Sequence, residues 1–276
     1  MELERRMSGR ATSFYYSFLA LPPEKRRAIV AVWDFCRAVD DAVDESKEGT
    51  AGCALTGWRA ELKAIYDGQL PATPQGRQLM PYVARFNLPR SAFEDLIEGV
   101  AMDLEQRRYE TFEALRQYCL RVASAVGLIC VEIFGYRNVQ TRDYAIDLGI
   151  ALQLTNIIRD VPVDLERSRV YIPLEDLRRF GVSEDDLRAG KLSANVRDLL
   201  AHQCERAKQF YRKADEALPK PDERGLVAAR IMAAIYLDLL KSIERAKFDV
   251  FSRRIRVSRP RQAAIAASTW LKVMIR

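Results

Sequence analysis

The chain has 276 residues, of which 49% are hydrophobic and 30% are charged. This balance is typical of a globular protein with a sizeable core, and it excludes a disordered or fibrous chain. The formal net charge of +6 favours an anionic partner such as phosphate or an anionic membrane. Basic residues are scattered except near the C-terminus, so the pattern does not favour nucleic acid.

Cysteine usage and the N-terminus indicate the compartment. The five cysteines form no CxxC pair, which favours a reduced, cytoplasmic setting. Residues 1–6 are mostly charged and lack the apolar core of a signal sequence. No window reaches the ~20 apolar residues needed to cross a bilayer, so we expect a protein that does not span a membrane.

Apolar spacing and chain breakers predict an all-α chain in one domain, residues 1–276, without repeats. An aromatic stretch precedes Pro22 and Pro23, and an Asp-rich helix is predicted to start near Glu24. Further helices are predicted at 55–66, 75–86, 91–109, 112–134, 140–161, 183–190, 193–217, 223–248 and 260–275. Residues 252–276 form a basic linker followed by the last of these helices.

Local signals mark several helix ends. Ser91 with Glu94, and Ser183 with Asp186, each have the spacing of a capping box at a helix start. Gly135 occupies the position of a helix C-cap after 112–134.

The Asp-rich helix carries two aspartates one turn apart, Asp40 and Asp44. On a helical wheel they fall within its apolar arc. That arc consists of Ile29, Val32, Trp33, Cys36, Val39 and Val43. Ionised carboxylates on a buried face need a neutralising partner, and a bound cation suits. The alternatives are a solvated acidic patch and an ion pair with Arg37.

A second polar pattern runs through the helix predicted at 140–161, which is apolar almost all round and therefore belongs in the middle of a bundle. One stripe of this helix carries Gln153, Asn156, Asp160 and, if the helix continues, Asp164, with Gly149 leaving room beside it. An internal hydrogen-bond network is the alternative use of such a stripe. Pro162 is expected to pull Val161 out of the helix and to displace Asp164.

Two DxxxD pairs, each beside an arginine (Arg37 and Arg159), suggest one cavity lined from two helices. Carboxylate and amide oxygens suit Mg²⁺, and arginines suit the phosphates that share its coordination shell. A di-iron carboxylate bundle needs Glu-x-x-His pairs, and His202 is the only histidine, so that alternative fails. A non-catalytic helical scaffold remains an alternative, and it predicts exposed Asp40 and Asp160.

These motifs resemble those of the squalene/phytoene synthase family. The resemblance runs from about Ser13 to Phe251, and its most specific parts are 36–44, 148–164 and 169–173. It implies an isoprenoid synthase-type helical bundle with a central cavity, and a transferase that condenses two prenyl diphosphates head to head.

Within the family, the run Ser13–Tyr16 and the DDAVDE form of the first motif indicate a particular product. We expect presqualene diphosphate from two farnesyl diphosphates, in a route to squalene and hopanoids. The alternatives are phytoene or dehydrosqualene synthesis, and full squalene synthesis with NADPH.

The resemblance also assigns roles to residues. Metal ligands and catalytic carboxylates would be Asp40, Asp44, Asp160 and Asp164, with Asn156 assisting the metal. Arg37, Arg159 and Arg169 would contact diphosphate, and Gln153 and Tyr171 would line the polar end. Ser13, Phe14 and Phe18 would bind substrate, and Phe14, Phe18, Val122, Val126 and Leu154 would form an apolar wall. Two or three Mg²⁺ ions are expected, with Mn²⁺ as a substitute and without NADPH.

The C-terminal basic segment and its Ala-rich helix with Trp270 suggest peripheral contact with the inner face of an anionic membrane. The alternative is a helix packed on the bundle. No obligate protein partner is expected. Tyr236, in an apolar run, is predicted to belong to the core.

Overall fold

The computed structural model describes residues 12–44 and 51–275, and side chains at 15–43 and 52–275. Within these ranges the chain is helical, and its β-structure is one isolated bridge between Arg108 and Val170. The all-α prediction is confirmed. The α-helices are α1 Thr12–Leu19, α2 Pro23–Asp44, α3 Ala51–Tyr66, α4 Pro74–Arg85, α5 Arg90–Glu105, α6 Phe112–Cys119, α7 Ala125–Phe134, α8 Thr141–Glu166, α9 Leu174–Arg179, α10 Glu184–Arg188, α11 Ala194–Ala217, α12 Val227–Arg245 and α13 Arg259–Ile275.

Helix α8 lies at the centre of the bundle. It packs against α6, α7, α10, α11 and α12, most extensively against α11. Its apolar residues are fully buried on several sides, among them Ile150, Ala151 and Ile158. A helix that is apolar almost all round is stable only with neighbours on most of its surface, so the prediction of a central helix is confirmed.

Pro162 lies inside α8, which continues to Glu166. The expectation that this proline pulls Val161 out of the helix is wrong. A proline costs ~3 kcal/mol in an exposed helix interior because it removes a hydrogen bond and crowds the preceding turn. Here Val161 and Leu165 are both buried, and their packing anchors the last turns of the helix. Asp164 therefore keeps its place on the helical stripe.

The stretch predicted as one helix at 112–134 is interrupted by a π-helical segment, Leu120–Ser124, between α6 and α7. Two glycines allow neighbouring helices to approach it closely. A Cβ on Gly149 of α8 would lie 2.6 Å from Cα of Ser124, and one on Gly99 of α5 would lie 2.7 Å from Cγ1 of Val122. The π-helical segment is therefore held between α5 and α8. Gly135, with φ of 78°, ends α7 as predicted.

The same stretch, Phe112–Phe134, is long and apolar enough to cross a membrane by length and composition, with a mean hydropathy of 1.5. The expectation that no such window exists is wrong. Core helices of folded proteins also have this composition, and here the stretch packs between α5 and α8.

Helix α5 differs at both ends from the prediction. It begins after Pro89, which serves as N-cap without a side-chain hydrogen bond, so the capping box at Ser91 is wrong. It ends at Glu105, because the following residues pair with the segment after α8: Val170 N donates to Arg107 O at 2.9 Å. The capping box at Ser183 is confirmed, whereas the short helix α9 was not predicted.

The C-terminal helix α13 packs on α12 and α1. Its buried residues Ala266 and Val273 join Val227, Ile231 and Ile235 of α12 in a small apolar cluster beside the main core. The linker that precedes α13 starts at the end of α12 and crosses toward α8.

Candidate active site

The polar stripe of α8 faces a partly open space. Gln153, Asn156, Asp160 and Asp164 are half-buried, although they lie on the central helix. The residues between them are mostly buried, as for Ile157 and other apolar neighbours. Because the four polar residues recur every three or four positions, they share one face of the helix. The predicted stripe is confirmed as a structural feature.

Asp160 lies between two guanidinium groups. Arg159 Nε donates to Oδ1 of Asp160 at 2.9 Å, and Arg254 Nη2 donates to the same oxygen at 3.0 Å. The side chain of Asp160 is only 17% exposed. Arg254 comes from the linker before α13, and the sequence analysis missed it. The basic run at 252–261 was the only signal for it.

Asn156 and Tyr236 complete this corner. The Tyr236 hydroxyl, from α12, hydrogen-bonds with Arg159 and with Asn156. Burial raises the pKa of Tyr236, and the charge of Arg159 opposes that rise. Tyr236 is buried in the core, as predicted. Its hydroxyl also belongs to the polar corner, which the sequence analysis missed. The Oδ1 atom of Asn156 is buried and accepts no hydrogen bond from a described residue.

The C-terminal end of the stripe carries Asp164, which lies near both carboxylates and arginines. Burial is the main cause that raises the pKa of Asp164 to about 7. The charges of Asp160 and Asp103 also raise this pKa, and those of Arg169 and Arg167 lower it. The backbone turns tightly here, with Arg169 N donating to Asp164 O at 2.8 Å. A carboxyl group with this environment favours a neighbouring cation.

Asp103, on α5, was missed by the sequence analysis and organises a tyrosine cluster. Tyr171 Oη donates to Asp103 Oδ1 at 2.7 Å, and Tyr118 Oη donates to Oδ2 at 3.0 Å. The rings of these two tyrosines stack with centroids 5.2 Å apart. Tyr171 therefore lies at the predicted polar end with its hydroxyl bound to Asp103. Asp103 continues the buried stripe through Leu96 and Val100, and this was the signal available in the sequence.

The first aspartate motif lies on α2 and differs from the prediction. Trp33 and Cys36 are half-buried, but Asp40, one turn further on, is exposed, so its assignment to a buried face is wrong. The solvent exposure of these three side chains therefore increases toward the C-terminal end of the helix. Arg37 is also exposed and pairs with Asp41 at 3.2 Å. The side chains of Ser13, Phe14 and Asp44 lie outside the described residues.

Helices α2 and α8, which carry the two aspartate motifs, both pack on α7. Cys36 of α2 and Cys130 of α7 interact electrostatically, and both are half-buried. Burial raises the pKa of the Cys130 thiol to about 12, as expected in apolar surroundings. Val122 and Val126 are half-buried beside them, whereas Phe18 and Leu154 of the predicted wall are fully packed into the core.

The described carboxylates do not form a closed metal site: no group of three His, Cys, Asp or Glu side chains among the described residues is arranged to hold an ion. The donor set nevertheless fits Mg²⁺. This ion commonly takes one or two carboxylates and completes its shell with water and substrate phosphates. The carboxylates of Asp160 and Asp164 and the unpartnered amide oxygen of Asn156 are donors of this kind.

Comparison with known proteins decides the family. The squalene/phytoene synthase family model matches residues 7–261. The chain belongs to the squalene/phytoene synthase family. It is therefore a prenyl transferase-type enzyme of isoprenoid biosynthesis, and its family depends on divalent metal.

Two cyanobacterial relatives of this family illustrate the similarity. A phytoene synthase from Arthrospira platensis is 37% identical over 99% of this chain and 90% of its own length. A 15-cis-phytoene synthase from Synechocystis is 37% identical over 96% of this chain and 82% of its own length. These relatives overturn the expectation of presqualene diphosphate as product in a squalene and hopanoid route.

Solved structures of the family confirm the isoprenoid synthase-type fold. A dehydrosqualene synthase in complex with ligand superposes with a TM-score of 0.89 at 27% identity, covering 100% of this chain and 96% of the other. A squalene synthase from Alicyclobacillus acidocaldarius superposes with a TM-score of 0.79 at 30% identity, covering 89% and 93%.

Proposed function

We propose that this enzyme is a phytoene synthase, which condenses two geranylgeranyl diphosphates head to head. The observation that carries the proposal is the similarity over nearly the whole chain to relatives named phytoene synthase, from cyanobacteria and from plants such as tomato. Half-buried apolar residues on α2 and α7, such as Trp33 and Val126, are available to contact prenyl chains, and Arg254 and Asp160 form a charged corner.

In this proposal the polar corner holds the diphosphates. Arg159 and Arg254 offer fixed guanidinium donors, and Tyr236 orients Arg159 through its hydroxyl. Such donors stabilise the charge that builds on the leaving diphosphate as the allylic C–O bond breaks. The bound divalent metal, held by Asp160, Asp164 and Asn156 with the aspartates of α2, would supply further positive charge to that leaving group.

The apolar residues protect the carbocation that forms. Val122, Val126 and Leu152 are half-buried and carry no nucleophile, so they exclude water without reacting. The double bond of the second substrate then attacks the cation, and loss of a proton closes a cyclopropane ring. The released diphosphate is a base that can accept this proton. Loss of the second diphosphate and of a further proton completes the hydrocarbon.

Product analysis tests the proposal. The purified enzyme is incubated with Mg²⁺ and either geranylgeranyl or farnesyl diphosphate, with and without NADPH, and the hydrocarbon mass is measured. We expect a C40 hydrocarbon from geranylgeranyl diphosphate, independent of NADPH. A C30 product formed preferentially from farnesyl diphosphate would contradict the proposal and assign the enzyme to the dehydrosqualene or squalene branch.

The role of Asp160 is tested separately by diphosphate release. Asp160→Asn should lower the rate by a factor of about a hundred or more, because removing one group that stabilises the transition state typically has that effect. Glu166→Gln, an exposed carboxylate at the end of the same helix, is the matched control and should retain full activity. Equal rates in both variants would contradict the assignment.

A further inference from the structure

The C-terminal helix α13 leaves an apolar outer face. Its inner face is buried through Gln262, Ala266 and Val273. On the outside, Trp270, Leu271 and Ile275 are 45%, 52% and 75% exposed. Large side chains of this kind are uncommon as neighbours on a protein surface unless they bind something. Helix α1, which packs on α13, adds Leu19, at 42% exposure.

The segment that contains this helix carries an unusual charge. Residues 252–276 include seven arginine or lysine residues and no aspartate or glutamate, whereas the whole chain has a formal net charge of +6. The remainder of the chain is therefore slightly acidic. All of the net positive charge lies in the linker and in α13, so an anionic partner would be drawn to this end of the molecule.

The basic residues border the apolar face without interrupting it. At ~100° per residue, Leu271 and Ile275 share one line along the helix, with Lys272 on one side of it and Arg259 on the other. Arg259, Lys272 and Arg256 make no hydrogen bond or ion pair with a described residue, whereas Arg261 is held by Asp238 at 2.8 Å. These three cations are therefore available to a partner.

We propose that α13 and its basic linker dock on the surface of an anionic lipid bilayer. In this arrangement Leu271, Ile275 and Trp270 enter the interface and the flanking cations contact the lipid headgroups. The helix has 17 residues and would lie in the plane of the membrane. A second copy of the chain is disfavoured as occupant, because two strongly basic segments would repel each other. Nucleic acid would leave the apolar row without a partner.

Vesicle binding by the full chain tests this proposal, without reference to the product of the reaction. Vesicles of phosphatidylcholine alone are compared with vesicles that also contain phosphatidylglycerol, and bound protein is measured by flotation. We expect binding to the anionic vesicles only, weakened by added salt. The fluorescence of Trp270 should shift to shorter wavelength on binding, and this component should be absent in Trp270→Phe.

Matched variants separate the apolar and electrostatic contributions. Leu271→Gln and Ile275→Gln should each lower the partition onto anionic vesicles by about tenfold, and Arg259→Gln or Lys272→Gln by about fivefold. Leu70→Gln and Arg197→Gln remove exposed residues elsewhere and should leave binding unchanged.

Three results would overturn the proposal. They are failure of the intact protein to bind anionic vesicles, binding by Leu271→Gln and Ile275→Gln as strong as that of the wild type, and a wild-type dimer in solution that these two substitutions dissociate. Activity in detergent solution should be the same for all seven variants. This readout separates failure of docking from failure of the proposed function.

Discussion

Arg254 Nη2 lies 3.0 Å from Oδ1 of Asp160, although 94 residues separate the two in the sequence. The contact joins the C-terminal linker to the central helix at the corner where Arg159 and Tyr236 also meet. The last helix of the chain is thus connected to the proposed diphosphate site through a short stretch of backbone.

Replacing Arg254 should weaken substrate capture. Arg254→Ala is expected to lower kcat/KM for geranylgeranyl diphosphate by about tenfold or more, because a charge-assisted hydrogen bond contributes roughly 1.5–3 kcal/mol. Steady-state kinetics in detergent measure the effect. Arg256→Ala removes an exposed arginine two residues away and serves as control. Full activity in Arg254→Ala would exclude a role for the linker at the site.

The hydroxyl of Tyr236 should matter more for activity than for stability. Tyr236→Phe keeps the buried ring but leaves Arg159 and Asn156 without this partner, so we expect about a tenfold loss of kcat with a small change in Tm. Tyr211→Phe is a matched control, since that buried hydroxyl pairs with Thr155 at 3.0 Å and not with Arg159 or Asn156. If Tyr211→Phe lost as much activity as Tyr236→Phe, the specific role would be wrong.

Two glycine substitutions should have opposite effects on stability. Gly149→Ala would place a Cβ 2.6 Å from Cα of Ser124. Because a backbone atom cannot move aside as the end of a flexible side chain can, we expect the free energy of unfolding to fall by about 1–3 kcal/mol. Gly57 occupies an exposed position on α3, and a Cβ there meets nothing within 4 Å, so Gly57→Ala should stabilise the protein by about 0.5–1 kcal/mol. Urea unfolding measures both, and a destabilised Gly57→Ala would contradict this account.

A buried ion pair between α9 and α11 should make stability sensitive to acid. Asp176 is buried and accepts hydrogen bonds from Gln203 at 2.9 Å and from Arg206. Burial alone would raise the pKa of Asp176, but these hydrogen bonds outweigh it and the pKa is lowered. Because the folded-state pKa lies below the unfolded one, this stabilisation is complete above the unfolded pKa and is lost as the pH falls through the folded value.

Asp176→Asn tests that ion pair. It should cost about 3 kcal/mol at neutral pH, since Arg206 would keep a partly buried and uncompensated charge. The free energy of unfolding of the variant should then fall less steeply below about pH 4 than that of the wild type. Asp185→Asn, an exposed carboxylate on α10, should match the wild type at every pH. An acid response unchanged in Asp176→Asn would refute the assignment.

Sequence periodicity was sufficient for the parts of the site that lie on one helix. Gln153, Asn156, Asp160 and Asp164 recur at helical spacing among apolar residues, so their common face follows from the geometry of a single α-helix. The helical-wheel argument gave a wrong burial for Asp40. A wheel shows which residues share a face of the helix, but it does not show whether that face packs against another helix or meets solvent. The exposure of Asp40 depends on where the neighbouring helices end.

Contacts between distant segments could not be predicted. Arg254 and Asp103 reach the site only because the linker crosses α8 and because α5 packs beside the segment after α8. Neither fact is encoded in local spacing. The π-helical segment could not be predicted from local spacing either. Its geometry depends on two helices elsewhere in the sequence, which approach it closely at Gly99 and Gly149. The product, too, depends on cavity depth, which single-sequence patterns do not measure.

The two glycines on either side of the π-helical segment restrict how the enzyme can be redesigned. With backbone in contact on both flanks, that wall cannot slide outward to admit a longer hydrocarbon or inward to fit a shorter one. Chain-length preference is then tuned by the volume of individual side chains. A mutant library for altered prenyl length should vary Val122, Val126 and Cys130 and hold both glycines constant.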